Sequence, residues 1–443
     1  AARAQRHLCR KANAPLIRKG MRRCLLRCSL LAGASLLGSA RHVVHPDTHW
    51  LDTDGNRIES HGAGMLQSPT DMRWYWYGET KKTDNYNEHG VNCYSAETIA
   101  GPWTFEGEVF PQTSVNQPDH AGPFVIERPK VLYNKETKKF VMWFHLEDAE
   151  YLYRMAGVAQ SDSPTGPFEY MHGIRPDGLK SLDMSLFRDP VDDQAYFIRS
   201  VDNKYVGISR LTPDYLNSAG LISTHDVFEG MALFRHSNGT LYMISSHLTG
   251  WNPNPLIVYR ADGPSLDDPR WVDLGNPTGC GASFNSQPTY VVEYTPVHGA
   301  PYFVYMADDW IYCPNGDGTQ GPLINACYVW LPIEFAGDSV RIDWRPQWDL
   351  DDPFSSPVAH HPSCTWRGGS SGRQHHGRAA QGPGEVVDAV VRAHAAQTQA
   401  AEEALSLLGS PGSVGVDGAF SDIAERYAQS IADGLKQLYT EDL

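Results

Sequence analysis

Long apolar runs and long helical periodicity are both scarce in this sequence. After residue 41, no segment is apolar enough to cross a membrane as a helix. Positive charge is also in short supply, because 37 Lys and Arg face 52 Asp and Glu, giving a net charge of −15. Binding of nucleic acid needs a basic surface, so this balance argues against a nucleic-acid partner.

Cysteine is sparse after residue 41, and its spacing matches no metal site. In an oxidising compartment we expect one or two disulfides, with Cys313 and Cys327 as the first choice of pair. The five cysteines are Cys93, Cys280, Cys313, Cys327 and Cys364.

Residues 1–41 are predicted to be a leader. The first 20 residues are basic and contain no Met. Met21 then opens a stretch with a basic start, a short apolar centre and the small residues Gly38-Ser39-Ala40 at its end, which is the layout of a secretory signal peptide. Its Arg and Ser content also suits a mitochondrial or chloroplast transit peptide, which is the alternative. With a secretory signal, the protein is expected to be secreted.

Residues 42–354 consist of short aromatic and β-branched runs broken by Gly, Pro, Asn and Asp, a pattern that predicts an all-β fold. Five of the runs resemble one another and recur at roughly the spacing of propeller blades. A β-sandwich would show shorter and more even strand spacing. We therefore predict a five-bladed β-propeller. The five runs are 73–78, 139–145, 194–199, 239–245 and 300–306.

The composition changes after the predicted propeller. Residues 355–384 are rich in Gly, Ser and His and are predicted to be a low-complexity linker. Residues 385–443 are predicted to be a helical tail, since 385–408 are rich in Ala and 419–438 repeat apolar residues at steps of three and four.

A propeller binds ligands at the mouth of its central channel, where the innermost strands of all blades converge. Polar residues at the starts of those strands are therefore candidate site residues. Several carboxylates meeting there form an acidic pocket, and two carboxyl groups flanking a glycosidic oxygen are the groups that hydrolyse glycosides. The candidates are His61, Glu79, Glu127, Asp183, Glu229 and Gln287.

Glu229 is the candidate general acid. It precedes five uncharged residues and has Phe228, Met231 and Phe234 as sequence neighbours. Desolvation in such surroundings disfavours the charged carboxylate, and a carboxylic acid that stays protonated near neutral pH can donate its proton. The alternative for this residue is a glutamate at a strand edge that faces water.

The order of several short motifs resembles glycoside hydrolase family 43, and within it the exo-β-1,3-galactanase branch. The resemblance extends over about residues 45–352, and Glu127-Arg-Pro-Lys130 is its most specific part. It implies a five-bladed propeller and an inverting enzyme that releases galactose from the non-reducing end of β-1,3-galactan. The other motifs are His61-Gly-Ala-Gly64, Asn92-Cys-Tyr-Ser95, Asp183-Met-Ser-Leu-Phe187, Phe228-Glu229, Leu248-Thr-Gly-Trp-Asn-Pro-Asn254, Ser286-Gln287 and Trp330-Leu-Pro332.

The resemblance also implies roles for these residues. Glu229 matches the general acid, Asp183 the carboxylate that orients it and raises its pKa, and Gln287 the amide that holds the attacking water. Because an amide is a poor base, Glu127 is the reserve candidate for accepting the proton. The residues expected to bind sugar are Glu79, Glu127, His61 and, as a stacking platform, Trp251.

The sequence departs from the family pattern in places. Most members carry an Asp base on the first blade, whereas Gly62 falls there in this chain, as in the galactanase branch. Where galactanases tend to carry an acidic residue after the third-blade strand, this chain reads Ile198-Arg-Ser-Val201, so one sugar contact is expected to be missing. His247 matches a histidine that some members place near a central ion. No organic cofactor and no catalytic metal are implied.

Two other functions remain open. One keeps the fold and changes the sugar, giving an arabinofuranosidase or a xylosidase, although the first-blade Asp expected of those enzymes is absent. The other is a propeller that binds galactan without cleaving it. In each case the partner is an oligo- or polysaccharide, no membrane contact is expected after removal of the leader, and we expect a monomer.

Overall fold

The described part of the chain is a five-bladed β-propeller. This computed structural model describes residues 42–81, 90–267, 269–313, 320–337 and 339–364. Five four-stranded antiparallel sheets form the blades, and within each blade every strand pairs with the next strand along the chain. Across these ranges there is no α-helix, and hence none long and apolar enough to span a membrane.

The blades are numbered I to V in chain order. Blade I contains β2 (His61–Gln67), β3 (Trp74–Glu79), β4 (Val91–Ala96) and β5 (Thr104–Phe110). Blade II contains β6 (Val125–Asn134), β7 (Lys139–Glu147), β8 (Met155–Ser161) and β9 (Glu169–Ile174). Blade III contains β10 (Met184–Arg188), β11 (Ala195–Val201), β12 (Tyr205–Leu211) and β13 (Ser218–His225), and blade IV contains β14 (Glu229–Arg235), β15 (Leu241–Ser246), β16 (Ile257–Ala261) and β17 (Trp271–Asp273).

Blade V and the remaining elements complete the described chain. Blade V contains β18 (Gln287–Tyr294), β19 (Tyr302–Asp309), β20 (Cys327–Ala336) and β21 (Ser339–Ile342). Outside the blades, β1 (Val43–Val44) pairs with β22 (Trp348–Asp349). Short 3-10 turns lie at Gln112–Ser114, Pro176–Gly178, Ser283–Asn285 and Leu323–Asn325.

The first strand of each blade is the innermost one. β2 contacts β6, β6 contacts β10, β10 contacts β14, β14 contacts β18, and β18 contacts β2, which closes the ring. The five similar runs of the sequence are the second strands, β3, β7, β11, β15 and β19. Their residues are almost all buried, since both faces of a blade pack against neighbouring blades. The predicted five-bladed fold is confirmed.

Aromatic packing joins blades I and V where the ring closes. The Trp50 ring contacts Trp76 of blade I at a centroid distance of 5.8 Å. On blade V it contacts Tyr328 at 5.5 Å and Trp330 at 4.7 Å. Large rings that meet edge to face bury much apolar area, so this cluster supplies the cohesion that strand pairing does not provide between blades.

The packed fold continues beyond residue 354, where a linker was predicted. His361 is buried against the rings of Phe284 and Trp344, at centroid distances of 5.7 Å and 4.3 Å. Cys364 forms a disulfide with Cys280. The low-complexity sequence after residue 354 gave no sign of these contacts of His361 and Cys364, because their partner residues lie elsewhere in the chain.

The other predictions on cysteines and termini have mixed outcomes. The expected Cys313–Cys327 disulfide is present, and Cys93 is a buried free thiol. The leader, the linker from residue 365 onward and the helical tail lie outside the described residues.

We expect Cys364→Ser to lower the free energy of unfolding by about 2–5 kcal/mol, because the disulfide links residues 84 positions apart and restricts the unfolded chain. Urea unfolding followed by tryptophan fluorescence measures the difference. Under reducing conditions the variant and the wild type should become nearly equal. Equal stability of the two proteins under oxidising conditions would contradict this expectation.

Candidate active site

Four of the five innermost strands carry a β-bulge at or just after a predicted site residue. The pairing register shifts after His61, Glu127 and Glu229, and again just after Gln287. Asp183 directly precedes β10. A bulge turns the backbone and re-aims the side chains next to it. The bulges thus allow polar side chains from different blades to meet at one end of the channel.

Glu229, Gln287 and Asp183 form the centre of the site. The Gln287 amide nitrogen donates a hydrogen bond to Glu229 Oε1 at 2.8 Å. Asp183 Oδ2 accepts a hydrogen bond at 3.1 Å from the backbone N–H of Gly230, the residue after Glu229. Asp183 therefore holds the backbone beside the acid, and blades III, IV and V each contribute one of the three side chains.

Arg128 links these residues, and sequence reasoning did not assign it a role. Its Nε lies 2.7 Å from Asp183 Oδ2, and its guanidinium also donates to Gln287 Oε1 and to the Pro288 carbonyl, the latter at 3.0 Å. Its backbone N–H donates to Glu79 Oε2 at 2.7 Å. The only sequence signal was its position directly after Glu127 in the most specific motif.

The environment of Glu229 favours the protonated acid. Burial raises the pKa of Glu229 well above its ordinary value, and the negative charge of Asp183 raises it further. The positive charge of Arg128 opposes this shift without cancelling it. Glu229 thus keeps its proton at a pH where an exposed glutamate would have lost it, which is the property predicted for a general acid.

Glu79 and Glu127 form a second acidic group around a buried lysine. Lys81 Nζ lies 3.0 Å from Glu79 Oε1 and 3.8 Å from Glu127 Oε1. The Tyr151 hydroxyl donates to Glu127 Oε1 at 2.7 Å, so Tyr151 joins the site although its sequence context gave no signal. Burial raises the pKa of Glu79, with a contribution from the charge of Glu127.

Glu127 is ionised in this arrangement. His145 lies between two carboxylates, with Nδ1 at 3.2 Å from Glu127 Oε2 and Nε2 at 3.2 Å from Glu147 Oε1. Burial alone would raise the pKa of Glu127, but its bonds to His145 and the charge of Lys81 lower it to about 2. A carboxylate with so low a pKa is a weak base, which restricts the role of Glu127 as reserve proton acceptor.

His61 lies beneath the site rather than in it. The imidazole is fully buried, stacks on Tyr328 and has Nδ1 at 3.0 Å from Asp308 Oδ1. Its Nε2 lies 3.7 Å from Glu59 Oε2. This side chain is enclosed in this arrangement, and its contact with substrate stays a prediction. The position of a polar residue at the start of a predicted strand does not indicate how deeply its side chain is buried.

The first-blade position without an Asp base has a steric explanation. Gly62 adopts a left-handed conformation with φ of +55°. A Cβ atom there would lie 3.2 Å from the Cα and N of Arg128. The Gly62 N–H donates to Asp308 Oδ2 at 2.8 Å. An aspartate at residue 62 would therefore crowd the backbone of Arg128 in the bulge of β6.

Trp251 is partly exposed and lies next to a second tryptophan. Its ring meets Trp310 edge to face at a centroid distance of 5.0 Å, and Lys81 Nζ lies 4.9 Å from its ring centre. Trp310 Nε1 donates to Gln287 Oε1 at 2.8 Å. The predicted platform therefore adjoins the site, and Trp310, directly after β19, is a further site residue that the sequence analysis missed.

Arg199 and His247 were both noted in the comparison with the family pattern, and the structure gives each its own surroundings. Arg199 is fully buried inside blade III, where it pairs with Asp177 at 3.0 Å and donates to Ser209 Oγ at 2.8 Å. His247 is half-buried beside the Phe228 ring, and burial lowers the pKa of its imidazole.

Metal-ligating side chains come together in two places in the described ranges, and His247 is in neither group. One group is Glu127, His145 and Asp183, whose ligand atoms lie within 4.8 Å of one another. Arg128 and Lys81 already bring positive charge to these carboxylates. The other group contains His49 with Cys313 and Cys327, whose sulfurs are joined in a disulfide.

The site therefore combines a protonated carboxylic acid, several buried carboxylates and an amide at one end of a propeller channel. These are the groups that glycoside hydrolysis requires: a proton donor for the leaving oxygen, and charge to stabilise an oxocarbenium-like transition state. The fold and the site define a glycoside hydrolase.

Comparisons with known proteins give the family. The exo-β-1,3-galactanase 1,3Gal43A of Clostridium thermocellum is 32% identical, with a TM-score of 0.61 over 71% of this chain and 68% of that chain. The exo-β-1,3-galactanase of Phanerochaete chrysosporium in complex with galactose is 28% identical, with a TM-score of 0.60 over 72% and 71%. A GH43 β-1,3-galactosidase bound to galactodeoxynojirimycin is 29% identical, with a TM-score of 0.59 over 69% and 99%. This chain belongs to glycoside hydrolase family 43.

Two further comparisons are less extensive. No protein-family model matches the chain. A curated sequence described as a probable arabinan endo-1,5-α-L-arabinosidase C from Aspergillus terreus is 29% identical over 104 residues, which is 24% of this chain. The match spans only 29% of that relative's length.

The His61 ion pairs should make stability depend on pH. Burial lowers the pKa of this imidazole, but Asp308 and Glu59 raise it to about 9, above its ordinary 6.5. A pKa raised by folding stabilises the fold fully below pH 6.5, and the contribution is lost as the pH rises through about 9. We expect this loss to be on the order of 3 kcal/mol in the wild type.

Urea unfolding at pH 6 and pH 9.5 measures this effect. His61→Gln removes this group and should make the loss of stability between pH 6 and pH 9.5 smaller by on the order of 3 kcal/mol, and Asp308→Asn, which lowers the pKa of His61, should make it smaller in part. A pH dependence remains in both variants because, against the effect of burial, Glu127 and Glu147 raise the pKa of His145 to about 10. An identical pH dependence in the wild type and His61→Gln would show that His61 does not contribute to it.

Proposed function

We propose that the protein is an exo-acting, inverting glycosidase that releases galactose from the non-reducing end of β-1,3-galactan. The observation that carries this proposal is the direct pairing of the protonated acid Glu229 with the amide of Gln287, where Gly62 occupies the position of the first-blade Asp base. Three similar structures, which cover 71%, 69% and 72% of this chain, are enzymes for β-1,3-linked galactose, and this supports the choice of sugar.

Glu229 acts as the general acid. Its proton passes to the glycosidic oxygen as the bond from that oxygen to the anomeric carbon breaks. Asp183 keeps the pKa of Glu229 high through its negative charge and holds Gly230 in place. Arg128 holds Asp183 in place beside the acid through an ion pair of 2.7 Å.

Gln287 holds the attacking water. Its carbonyl oxygen accepts hydrogen bonds from Arg128 and Trp310, which fixes the amide and turns its NH2 group toward Glu229. The 2.8 Å bond between Gln287 and Glu229 leaves no room for a sugar between them. We infer that substrate separates the two side chains, after which the amide N–H groups donate to a water on the opposite face of the anomeric carbon.

Glu127 accepts the proton that this water releases. Although Glu127 is a weak base, a water that has bonded to an oxocarbenium-like carbon carries positive charge and is a far stronger acid than free water. Transfer late in the attack therefore suits a carboxylate with a low pKa. Glu79, Glu127 and Asp183 also stabilise the positive charge of the transition state in a poorly hydrated site.

Trp251 stacks on the sugar beside the cleaved bond. It is partly exposed, adjoins Trp310 and carries the charge of Lys81 near its face. Flat rings match the apolar faces of pyranose sugars, and galactose offers one such face.

We also propose that the enzyme is secreted and acts as a monomer. The disulfides Cys280–Cys364 and Cys313–Cys327 support an oxidising compartment, since structural disulfides are rare in the cytosol. The predicted signal from Met21 agrees with this location.

Glu229→Gln should lower galactose release from β-1,3-galactan by at least about a thousandfold, because the variant has no proton to donate, while sugar binding persists. Galactose release measures activity, and calorimetry with β-1,3-galactobiose measures binding. The matched control is Glu334→Gln, a partly exposed glutamate on β20, which should keep wild-type activity.

The same assay on arabinan and xylan separates the alternatives. Preferential release of arabinose or xylose would replace the galactanase assignment, and the short match to an arabinosidase makes arabinan the sharper comparison. If both proteins bind galactan and neither cleaves it, the propeller is a binding protein. Proton NMR must show the α-anomer of galactose first, and a β-anomer appearing first would exclude inversion.

Asp183→Asn should move the alkaline limb of the kcat–pH profile to lower pH by about one unit. The negative charge of Asp183 raises the pKa of Glu229, so removing it lowers that pKa, and the acid loses its proton at lower pH. Asn still offers an oxygen to Gly230 N–H. An unshifted limb would mean that Glu229 is not the group that titrates.

A further inference from the structure

The bulges of β2 and β6 share one hydrogen-bond donor. Gly62 and Arg128 each adopt left-handed conformations, with φ of +55° and +50°. Lys130 Nζ donates to the Gly62 carbonyl at 2.7 Å and to the Arg128 carbonyl at 3.3 Å. Building on the proposed hydrolysis, we propose that Lys130 is a positioning residue that holds these two bulges together and, through Arg128, aligns Gln287 and Asp183 with the acid.

Each bulge is also held on its N–H side. The Gly62 N–H donates to Asp308 at 2.8 Å, and the Arg128 N–H donates to Glu79 at 2.7 Å. With Lys130 in place, the N–H and the C=O of both residues are bonded. Removing the amine frees the carbonyls of both bulges at once, and among the described residues no other side chain bonds to both carbonyls.

Lys130 is placed to act as a donor rather than as an ion-pair partner. Its side chain is buried, with 1% exposure, and no carboxylate in the described ranges lies within 4.0 Å of Nζ. Burial and the charge of Arg128 lower the pKa of Lys130 to about 7, against the opposing charges of the more distant Glu79, Asp183 and Asp308. The neutral amine keeps two N–H groups, one for each carbonyl, so the link persists in both protonation states.

The hydrogen bonds from Lys130 to the two carbonyls affect the reacting groups through Arg128. The same residue whose carbonyl Lys130 holds has its guanidinium on Asp183 at 2.7 Å, on Gln287 and on Pro288. A displacement of the Arg128 backbone therefore moves the amide and the carboxylate relative to Glu229. Displacements well below 1 Å are enough to slow a reaction that depends on alignment.

Lys130→Met is the first test, because Met keeps a chain of similar length and cannot donate to the carbonyls. We expect kcat on β-1,3-galactobiose to fall by about tenfold to a hundredfold, the size of one or two buried hydrogen bonds, with KM changed less than threefold. The fall should be equal across the pH profile, since the link does not depend on the charge of Lys130.

Asn134→Ala is the matched control for a purely structural effect. Asn134 lies on the same strand, is buried, and donates to the Pro213 carbonyl of the next blade at 2.7 Å, at the other end of β6. Its loss should lower the temperature of unfolding while kcat stays within twofold of the wild type.

Gly64→Ala displaces the Lys130 side chain without removing its amine. This variant tests the role of Lys130 if Lys130→Met does not fold. A Cβ at residue 64 would lie 2.6 Å from Lys130 Cδ, so the lysine stem must move. Gly64→Ala should reduce kcat in the wild type and should have little further effect in a Lys130→Ala background, because both changes break the same link.

A crystal structure of the Lys130 variant gives a readout that needs no activity. We expect the Arg128 carbonyl to shift and the Gln287–Glu229 bond to lengthen or break. Unchanged Arg128, Gln287 and Asp183 positions, or a kcat within threefold of an active wild type, overturn the role of Lys130. If the wild type hydrolyses no galactan, the proposed function fails, and the structural readout alone decides the role of Lys130.

Discussion

The ion pair between Arg128 and Asp183 is the interaction on which the site depends. Asp183, Glu229, Glu79 and Glu127 are carboxyl groups taken largely out of water, and unpaired carboxylates in such surroundings repel one another or take up protons. A single guanidinium meets one carboxylate, the oxygen of the neighbouring amide and a backbone carbonyl. It pairs directly with Asp183 and not with Glu229, and burial together with the charge of Asp183 raises the pKa of Glu229, so that Glu229 keeps its proton.

The rest of the channel repeats this alternation of charge. Lys81 lies between Glu79 and Glu127, His145 between Glu127 and Glu147, and His61 between Asp308 and Glu59. Burying so many charges is unfavourable even when each is paired. The aromatic cores between the blades, such as the cluster around Trp50 and Trp330, offset that cost. The propeller thus separates a polar axis, which serves function, from apolar interfaces that supply stability.

The bulges explain why the polar axis forms where it does. A regular inner strand would send alternate side chains into the two faces of its blade. The register shifts next to His61, Glu127 and Glu229 interrupt that alternation at the mouth of the channel. Left-handed residues at Gly62, Arg128 and Gly230 make each turn possible, and their backbone N–H groups donate to the carboxylates of Asp308, Glu79 and Asp183, respectively.

The sequence by itself determined the number of blades, the second strand of each and most of the polar residues that meet at the channel. It could do so because buried strands need runs of apolar residues, and those runs recur with each blade. Glu229, Asp183, Gln287, Glu127 and Glu79 do come together. Tertiary structure alone decided that His61 lies beneath the site, that Arg128, Lys81, Tyr151 and Trp310 belong to it, and that the packed fold reaches Cys364. These outcomes depend on partners far apart in the chain and on bulges that turn neighbouring residues in different directions, and neither leaves a periodic signal in the order of the amino acids.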